Sequence, residues 1–368
     1  MKICHIVSGD LWAGAEAMVS VLLEGLKHYP ELELSAIILN EGILADRLRS
    51  IQIPVKILAE NERSFFHLYR EVKKVIGESE PAIVHTHRYK ENLLGYLATR
   101  ARKKVQLVAT QHGLPEVYGA KRNRKHQLIV NFNLNLMKRK FSRVVAVSDD
   151  IHGFFLANGY LDSRLRMIHN GLKPTEKVLP GNQSSKVIIG SAGRFFPVKD
   201  YPLMVSIAAE LKTIGGLEFH LIGDGPDRET IEKSIQQNNL QKKFLLRPFR
   251  EDLTEFYHQI DIFINTSLHE GIPMSVLEAM AAAKPVIAPR VGGFKEVIDD
   301  GVDGFLIDRR TPQKFAEICK FLADKPDLRI KMGEAARRKI EKSFSMESMA
   351  GGYVKLYREL VLSAGGQV

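Results

Sequence analysis

The sequence predicts an α/β protein built from two parallel, doubly wound sheet domains, and three observations carry that prediction. Apolar runs of strand length alternate with amphipathic runs of helix length through both halves of the chain. The alternation breaks once, near residues 172–185, where Gly, Pro and Ser replace any apolar period, and then restarts. Polar residues and glycines collect where the strands end, the place where open parallel sheets bind ligands. The expected division is a first domain over 1–171, a linker over 172–185, a second domain over 186–345 and a closing helix over 346–368 that crosses back to the first domain.

In the first half KICHIVS is a buried strand, with a loop to Gly14. Residues 16–29 form an amphipathic helix through Met18, Val19, Leu22, Leu23 and Leu26. Strands follow at LELSAIILN, VKILA, AIVHT, 105–110 and 143–147, interleaved with helices over 42–50, 65–77, 92–102 and about 127–139. The strand ends carry Ser8, Gly9 and Glu16, then His85, His87 and Arg88, then Gln111, His112 and Gly113, then Ser148 and Asp149. Three histidines at adjacent strand ends point to a ligand rim, with His85, His87 and Arg88 as acceptor-side candidates.

The second half repeats the scheme: strands KVIIGSAG, LEFHLIGDG, FLLRP, DIFIN, 286–288 and GFLID, and helices over 201–214, 226–238, 253–259, 274–283 and 294–299. Three helical stretches close it at 312–324, 326–343 and 346–362. The stretch that organises the chain is 265–290, NTSLHEGIPMSVLEAMAAAKPVIAPR. Pro273 suits a first helical turn, because that position needs no N–H. Glu270 precedes the helix and Glu278 lies within it, while N–H groups between Gly271 and Met274 point out of an N-terminus whose dipole favours an anion. Hydroxyls for two carboxylates and a phosphate for the helix tip describe a sugar nucleotide. Arg194 and Lys199, in GRFFPVKDY, offer a fork and a point charge suited to a diphosphate. No Asp-x-Asp accompanies them, so these cations stand in for a metal and none is expected. GDGP at 223–226 lacks the G-x-G-x-x-G spacing, which disfavours a nicotinamide enzyme.

Composition narrows the class. At 45% hydrophobic and 26% charged the chain is ordinary globular protein. No apolar run reaches the ~18 residues of a membrane span. The start, MKICHIVSGDLWAGAE, reads as a strand and loop, not a secretory leader. Cys4 and Cys319 have no metal-ligand spacing, and a cytoplasmic setting is expected. The net charge of +10 falls almost entirely on the first half, in clusters at 100–104, 121–125 and 138–143. Such asymmetry suits an acidic partner, with an anionic membrane surface on the inner face as one candidate. Nucleic acid is disfavoured, since only Phe132 and Phe141 interleave the 121–143 cations.

With these residues in place the chain resembles the family-4 retaining glycosyltransferases of GT-B fold. The resemblance runs through AGAE (13–16), VHTH (84–87), TQHG (110–113), AVSDD (146–150), IHNGL (168–172), GRFFPVKDY (193–201), LIGDGPDR (221–228) and 265–298. It implies two Rossmann-like domains facing across a cleft, and transfer of a sugar from a uridine or guanosine diphosphate sugar to a saccharide or lipid-linked acceptor. By that resemblance Glu270 contacts hydroxyls of the donor sugar, Glu278 holds the ribose, and Arg194 and Lys199 neutralise the diphosphate. Gly14 lets backbone approach the diphosphate, and Gly271, Ile272, Pro273 and Met274 position sugar and phosphate. Arg247 and Phe249 flank the base, and His112 lies beside the anomeric centre. Turnover needs no metal and no cofactor. Two departures stand out: AGAE has one glycine where the family often has two, and His169 replaces a common proline. The rival readings are a sugar-nucleotide epimerase on the same architecture and, more remotely, a nucleic-acid or membrane-surface binding protein.

Overall fold

The computed structural model describes residues 1–115, 124–173 and 185–365. Part of the 121–125 cluster and most of the expected linker lie outside the described residues. The chain divides into two compact units, Met1–Gly171 with Met346–Val368, and Leu172–Ser345.

The first unit runs β1 (Lys2–Val7), α1 (Gly14–Leu26), β2 (Glu33–Ile38), α2 (Ile43–Ser50), β3 (Val55–Ile57), α3 (Phe65–Ser79), β4 (Ile83–Thr86), α4 (Tyr89–Thr99), β5 (Gln106–Gln111), α5 (Arg124–Lys140), β6 (Arg143–Ala146), α6 (Asp149–Ala157) and β7 (Leu165–Met167). Its seven strands are all parallel, in the order β3-β2-β1-β4-β5-β6-β7. Helices cover both faces, so β4 is buried along its whole length and reads as a continuous core strand. Ile6, Leu94, Val144 and Phe155 lie in that core.

Three local features differ from the sequence expectation. Helix α1 begins at Gly14, so AGAE forms its N-cap and first turn and Glu16 is carried inward. Helix α4 begins at Tyr89, three residues early, because Arg88 already takes the extended N-cap conformation. Ser148 and Asp149 are not loop residues: the Ser148 hydroxyl accepts the Ile151 N–H at 3.4 Å and starts α6. That helix and the short strand β7 complete the crossover at the sheet edge.

The second unit runs β8 (Val187–Ala192), α7 (Tyr201–Glu210), β9 (Leu217–Ile222), α8 (Arg228–Gln237), β10 (Phe244–Arg247), α9 (Thr254–Gln259), β11 (Ile262–Ile264), α10 (Met274–Ala281), β12 (Val286–Pro289), α11 (Phe294–Val297), β13 (Gly304–Ile307), α12 (Pro312–Ala323) and α13 (Pro326–Ser343). Its six parallel strands take the order β10-β9-β8-β11-β12-β13. Phe195, Phe219, Ile231 and Phe315 lie in its core. Helix α12 starts as its sequence suggests: Thr311 caps Lys314 N–H at 3.4 Å and Pro312 takes the first position. Helix α14 (Met346–Ser363) then belongs to the first unit, where its Met346 and Ala350 press so closely on Gly25 of α1 that no side chain would fit there. The chain changes unit after Gly171 and before Met346, and Leu172 donates to the Phe344 carbonyl at 2.8 Å beside these points.

Candidate active site

Strand order places the chemistry. In the second unit the chain winds one way from β8 to β9 and β10 and the other way from β11 to β13, so the winding reverses between β8 and β11. Loops leaving the carboxyl ends at such a reversal diverge and leave a crevice. The loop after β8 carries Arg194 and Lys199; the loop after β11 carries Glu270. Two bonds fasten these loops together: Leu268 N–H to the Val198 carbonyl at 2.8 Å, and the Thr266 hydroxyl to the Lys199 carbonyl at 2.9 Å. The Lys199 ammonium then meets Glu270 Oε1 at 2.5 Å, and the Ser267 hydroxyl donates to the same oxygen at 2.7 Å. With side-chain exposures of 22% and 14%, this pair is shielded enough to hold one geometry yet open to a ligand. Arg194 is exposed and lies over the Phe196 ring, 4.2 Å from its centroid.

The support for these loops is dense. Asp200 adopts a left-handed backbone at φ +45°, and Arg310 holds it by an ion pair while donating to the Thr266 carbonyl at 2.7 Å. GDGP proves to be scaffolding: Phe195 N–H donates to the Asp224 carbonyl at 2.8 Å, and Asp227 N–H donates to the Phe195 carbonyl at 3.1 Å. Pro273 is the N-cap of α10, one position earlier than expected, with φ −76° and ψ 119°. The Val276 and Leu277 N–H groups donate to the Pro273 carbonyl at 3.1 and 3.2 Å, so the N–H groups a helix start leaves for a ligand are those before Val276. Glu278 is half-buried and accepts from the Tyr257 hydroxyl at 2.7 Å, which fixes its carboxylate and, after burial, helps push the phenol well up from its ordinary range. Arg247 ends β10, 3.4 Å from both His220 Nδ1 and Gln259 Oε1, and Phe249 beyond it is 44% exposed.

The glycines after β12 set the mouth of α10. Gly293 N–H donates to the Glu270 carbonyl at 3.1 Å, and a methyl group on Gly293 would collide with the Gly271 carbonyl oxygen. Gly293→Ala is therefore expected to displace the 270–271 turn. It should cost ~1–3 kcal/mol of stability and weaken donor binding, read by thermal melts with and without nucleotide sugar. Unchanged binding would disconnect this turn from the ligand.

In the first unit the winding reverses between β1 and β4. Gly14 opens α1, and Glu16 two residues on, in the first turn, is buried, receiving an Arg88 N–H at 2.6 Å. Burial outweighs Arg88 and pushes the Glu16 carboxyl up to about 7. Arg88 also stands 3.7 Å from Asp10. The histidines behave differently from the sequence expectation. His5 and His85 are cross-strand partners in the β1–β4 register, and His85 is fully buried, not placed on a rim. Its Nδ1 lies 2.6 Å from the Tyr357 hydroxyl of α14 and its Nε2 lies 2.8 Å from Thr110 Oγ1, so an acceptor has no nitrogen to reach. That corrects the acceptor-side assignment of His85, and the reason is that α14 covers this face of the sheet. His87 is 4% exposed and is bracketed by His5 at 3.1 Å and His112 at 3.2 Å. His112 ends the row, half-buried, with its Nδ1 buried and without a protein partner among the described residues. Burial pushes His5 and His112 down to about 3 and His85 and His87 well below their ordinary value. His5, His85 and His87 could hold a metal ion on distance alone, their ligand atoms lying within 4.8 Å of one another.

Sequence reasoning missed Tyr257, Ser267, Arg310 and the pair Gly292-Gly293. Only the glycines left a signal, as adjacent glycines right after a core strand. Tyr257 and Arg310 look like ordinary helix and loop residues until the sheet is assembled.

A double parallel-sheet fold, with cations and acids at a reversal of winding beside a helix start, defines a nucleotide-sugar enzyme of GT-B architecture. The chain belongs to glycosyltransferase family 4: the family described as Glycosyltransferase Family 4 matches residues 19–176, and that described as Glycosyl transferases group 1 matches residues 173–339. Among curated relatives, it is 25% identical over 389 residues, 99% of this chain and 98% of the relative, to the UDP-Gal:alpha-D-GlcNAc-diphosphoundecaprenol alpha-1,3-galactosyltransferase of Escherichia coli. It is 26% identical to the poly(ribitol-phosphate) alpha-N-acetylglucosaminyltransferase of Staphylococcus aureus, over 57% of this chain and 41% of that one. Among solved structures, Anabaena Alr3699/HepE in complex with UDP-glucose superposes with a TM-score of 0.85 at 19% identity, covering 98% of this chain and 100% of that one. A glycosyltransferase from Rickettsia africae gives 0.78 at 22% identity, covering 98% of each. The epimerase reading gains no support from these relatives.

Proposed function

We propose that the protein transfers a sugar, with retention and without a metal, from a uridine diphosphate sugar to a lipid-linked or saccharide hydroxyl in cell-surface polysaccharide or glycolipid synthesis. The observation that carries the donor site is the Lys199–Glu270 pair at 2.5 Å, set where the sheet's winding reverses and beside the start of α10. In this reading Arg194 and Lys199 take the diphosphate, and Gly271, Ile272, Pro273 and Met274 pass sugar and phosphate across the α10 mouth. Glu270 takes donor hydroxyls, Glu278 the ribose, and Arg247 and Phe249 the base. Within the first unit, Gly14 is assigned to a phosphate, His112 to a sugar and Arg88 to the acceptor side, whereas His87, 4% exposed with its ring nitrogens engaged by His5 and His112, has none to offer an acceptor. Negative charge grows on the departing diphosphate as the sugar bond breaks, and prearranged cations favour that state without solvent reorganisation. The uridine choice follows the donor named for the Escherichia coli relative.

The test is transfer from a panel of uridine and guanosine diphosphate sugars to a prenyl-diphosphate saccharide, with and without chelator. The expected product keeps the donor's anomeric configuration, and chelation leaves the rate unchanged. An inverted product, or activity lost to chelator and restored by magnesium, would contradict the proposal.

No described helix is long and apolar enough to cross a membrane. We further propose that α5 docks the enzyme on an anionic inner leaflet. Leu128, Ile129 and Phe132 are exposed on one face, flanked by Arg124, Lys125, Arg139 and Lys140, and the helix contains no acidic residue. Basic residues beside exposed leucine and phenylalanine suit a helix lying in the headgroup layer. Vesicles containing phosphatidylglycerol should sediment the protein, with Leu128→Asp and Phe132→Asp abolishing it. Equal sedimentation by neutral vesicles, or none by either, would overturn the proposal.

A further inference from the structure

The buried histidines of the first unit form one unbranched hydrogen-bonded path, and we propose that this path dictates which nitrogen of His112 carries the proton, making His5, His85, His87 and Tyr357 positioning residues for His112. The path runs Tyr353, Thr110, His85, Tyr357, His5, His87, His112, with successive separations of 2.8, 2.8, 2.6, 3.5, 3.1 and 3.2 Å. It arises from strand geometry. His5 and His85 are register partners, and residues 85 and 87, like 110 and 112, are two apart and share a face. Tyr353 and Tyr357, one turn apart on α14, pack on that face and are themselves buried.

Burial keeps every ring neutral. A neutral imidazole has one N–H and one lone pair, and a hydroxyl has one hydrogen. Donation into one side of a ring therefore requires donation out of the other, and a hydroxyl that accepted from both sides would keep a buried hydrogen with no acceptor, so the path holds a single sense. The two senses differ at their ends. If hydrogens point away from His112, the last one sits on the Tyr353 hydroxyl, which is 1% exposed and has no partner but Thr110 among the described residues. A buried donor without an acceptor is the costly case, and since Tyr353 and His112 Nδ1 are both buried, the deciding difference is which end a ligand can reach. If hydrogens point toward His112, the last one sits on His112 Nδ1, at the carboxyl end of β5, where a ligand oxygen can accept it. The second sense is favoured: His87 Nδ1–H donates to His112 Nε2, and His112 presents Nδ1–H. That nitrogen is the one left without a protein partner. His112 thus acts as a hydrogen-bond donor to a sugar hydroxyl or phosphate oxygen and does not accept a proton. This inference rests on the proposed contact between His112 and the sugar ligand.

The test is long-range proton–nitrogen NMR on the full-length protein labelled with 15N-histidine, with His112 assigned by its loss in His112→Gln. His112 should show a protonated Nδ1 and a bare Nε2. Tyr357→Phe should cut the path and bring up the Nε2-protonated form, lowering kcat by ~3–10-fold, the loss expected for one orienting hydrogen bond. A bare Nδ1 in the wild type, an unchanged tautomer in Tyr357→Phe, or zinc bound stoichiometrically by His5, His85 and His87 would each overturn the proposal. The two readings fail separately. The expected tautomer with full activity in His112→Gln would remove His112 from the reaction and leave the path intact. The opposite tautomer with activity abolished in His112→Gln would do the reverse.

Discussion

Arg194→Ala is expected to lower kcat/KM for the nucleotide-sugar donor by roughly 2–4 kcal/mol of transition-state stabilisation, a loss of ~30–1000-fold. The fold itself makes no evident use of this guanidinium. It is exposed, rests on the Phe196 ring at 4.2 Å and has no carboxylate partner among the described residues. Lys199, by contrast, is held by Glu270. An exposed cation with no carboxylate partner among the described residues, in the loop after the first strand of a switch point, suits a ligand's charge. Removing it should leave the thermal midpoint nearly unchanged, since surface substitutions away from special features cost little. Arg194→Lys should recover part of the loss, because lysine keeps the charge and loses the fork. A kcat/KM equal to wild type in Arg194→Ala would refute the diphosphate role.

Acidification should destabilise the first unit far more than its surface charge implies. His5 and His112 stay neutral in the folded state down to about pH 3, and His85 and His87 are also held well below their ordinary value. In the unfolded chain the same rings take up protons near pH 6.5. Their contribution to stability is thus complete above about 6.5 and is lost as pH falls toward 3, together on the order of several kcal/mol. Glu16 acts in the opposite sense: its carboxyl, pushed up to about 7, adds stability at low pH that is lost as pH rises through 7. The histidines outnumber it, so the urea midpoint should fall steeply between pH 6.5 and 4. His87→Gln, though less stable, should show a shallower fall. Equal slopes in the two proteins would show that these rings do not control acid stability.

The parallel pattern was legible because strands buried on both faces are written as unbroken apolar runs such as DIFIN and KVIIGSAG. Glu270, Arg194 and Lys199 could be picked from sequence as residues following two strands, but their pairing depends on β8 and β11 being neighbours, which no local pattern states. His85 was misplaced for a related reason. In VHTH the alternation shows that both histidines share one face, yet only the return of α14 reveals that this face is closed. Helix α6 was missed because Ser148 and Asp149 looked like polar rim residues when they are a cap and a first turn. Tyr257 and Arg310, which orient Glu278 and the Asp200 turn, are distant in sequence from what they support.

Calorimetric titration of the wild type, Lys199→Ala and Glu278→Ala with uridine diphosphate, uridine monophosphate and their sugar conjugates tests the donor site most directly. The account predicts that wild type binds the diphosphate more tightly than the monophosphate, that Lys199→Ala removes most of that difference, and that Glu278→Ala weakens both nucleotides alike. Equal affinity of all three proteins for both nucleotides, or no binding of any of these uridine compounds, would contradict it.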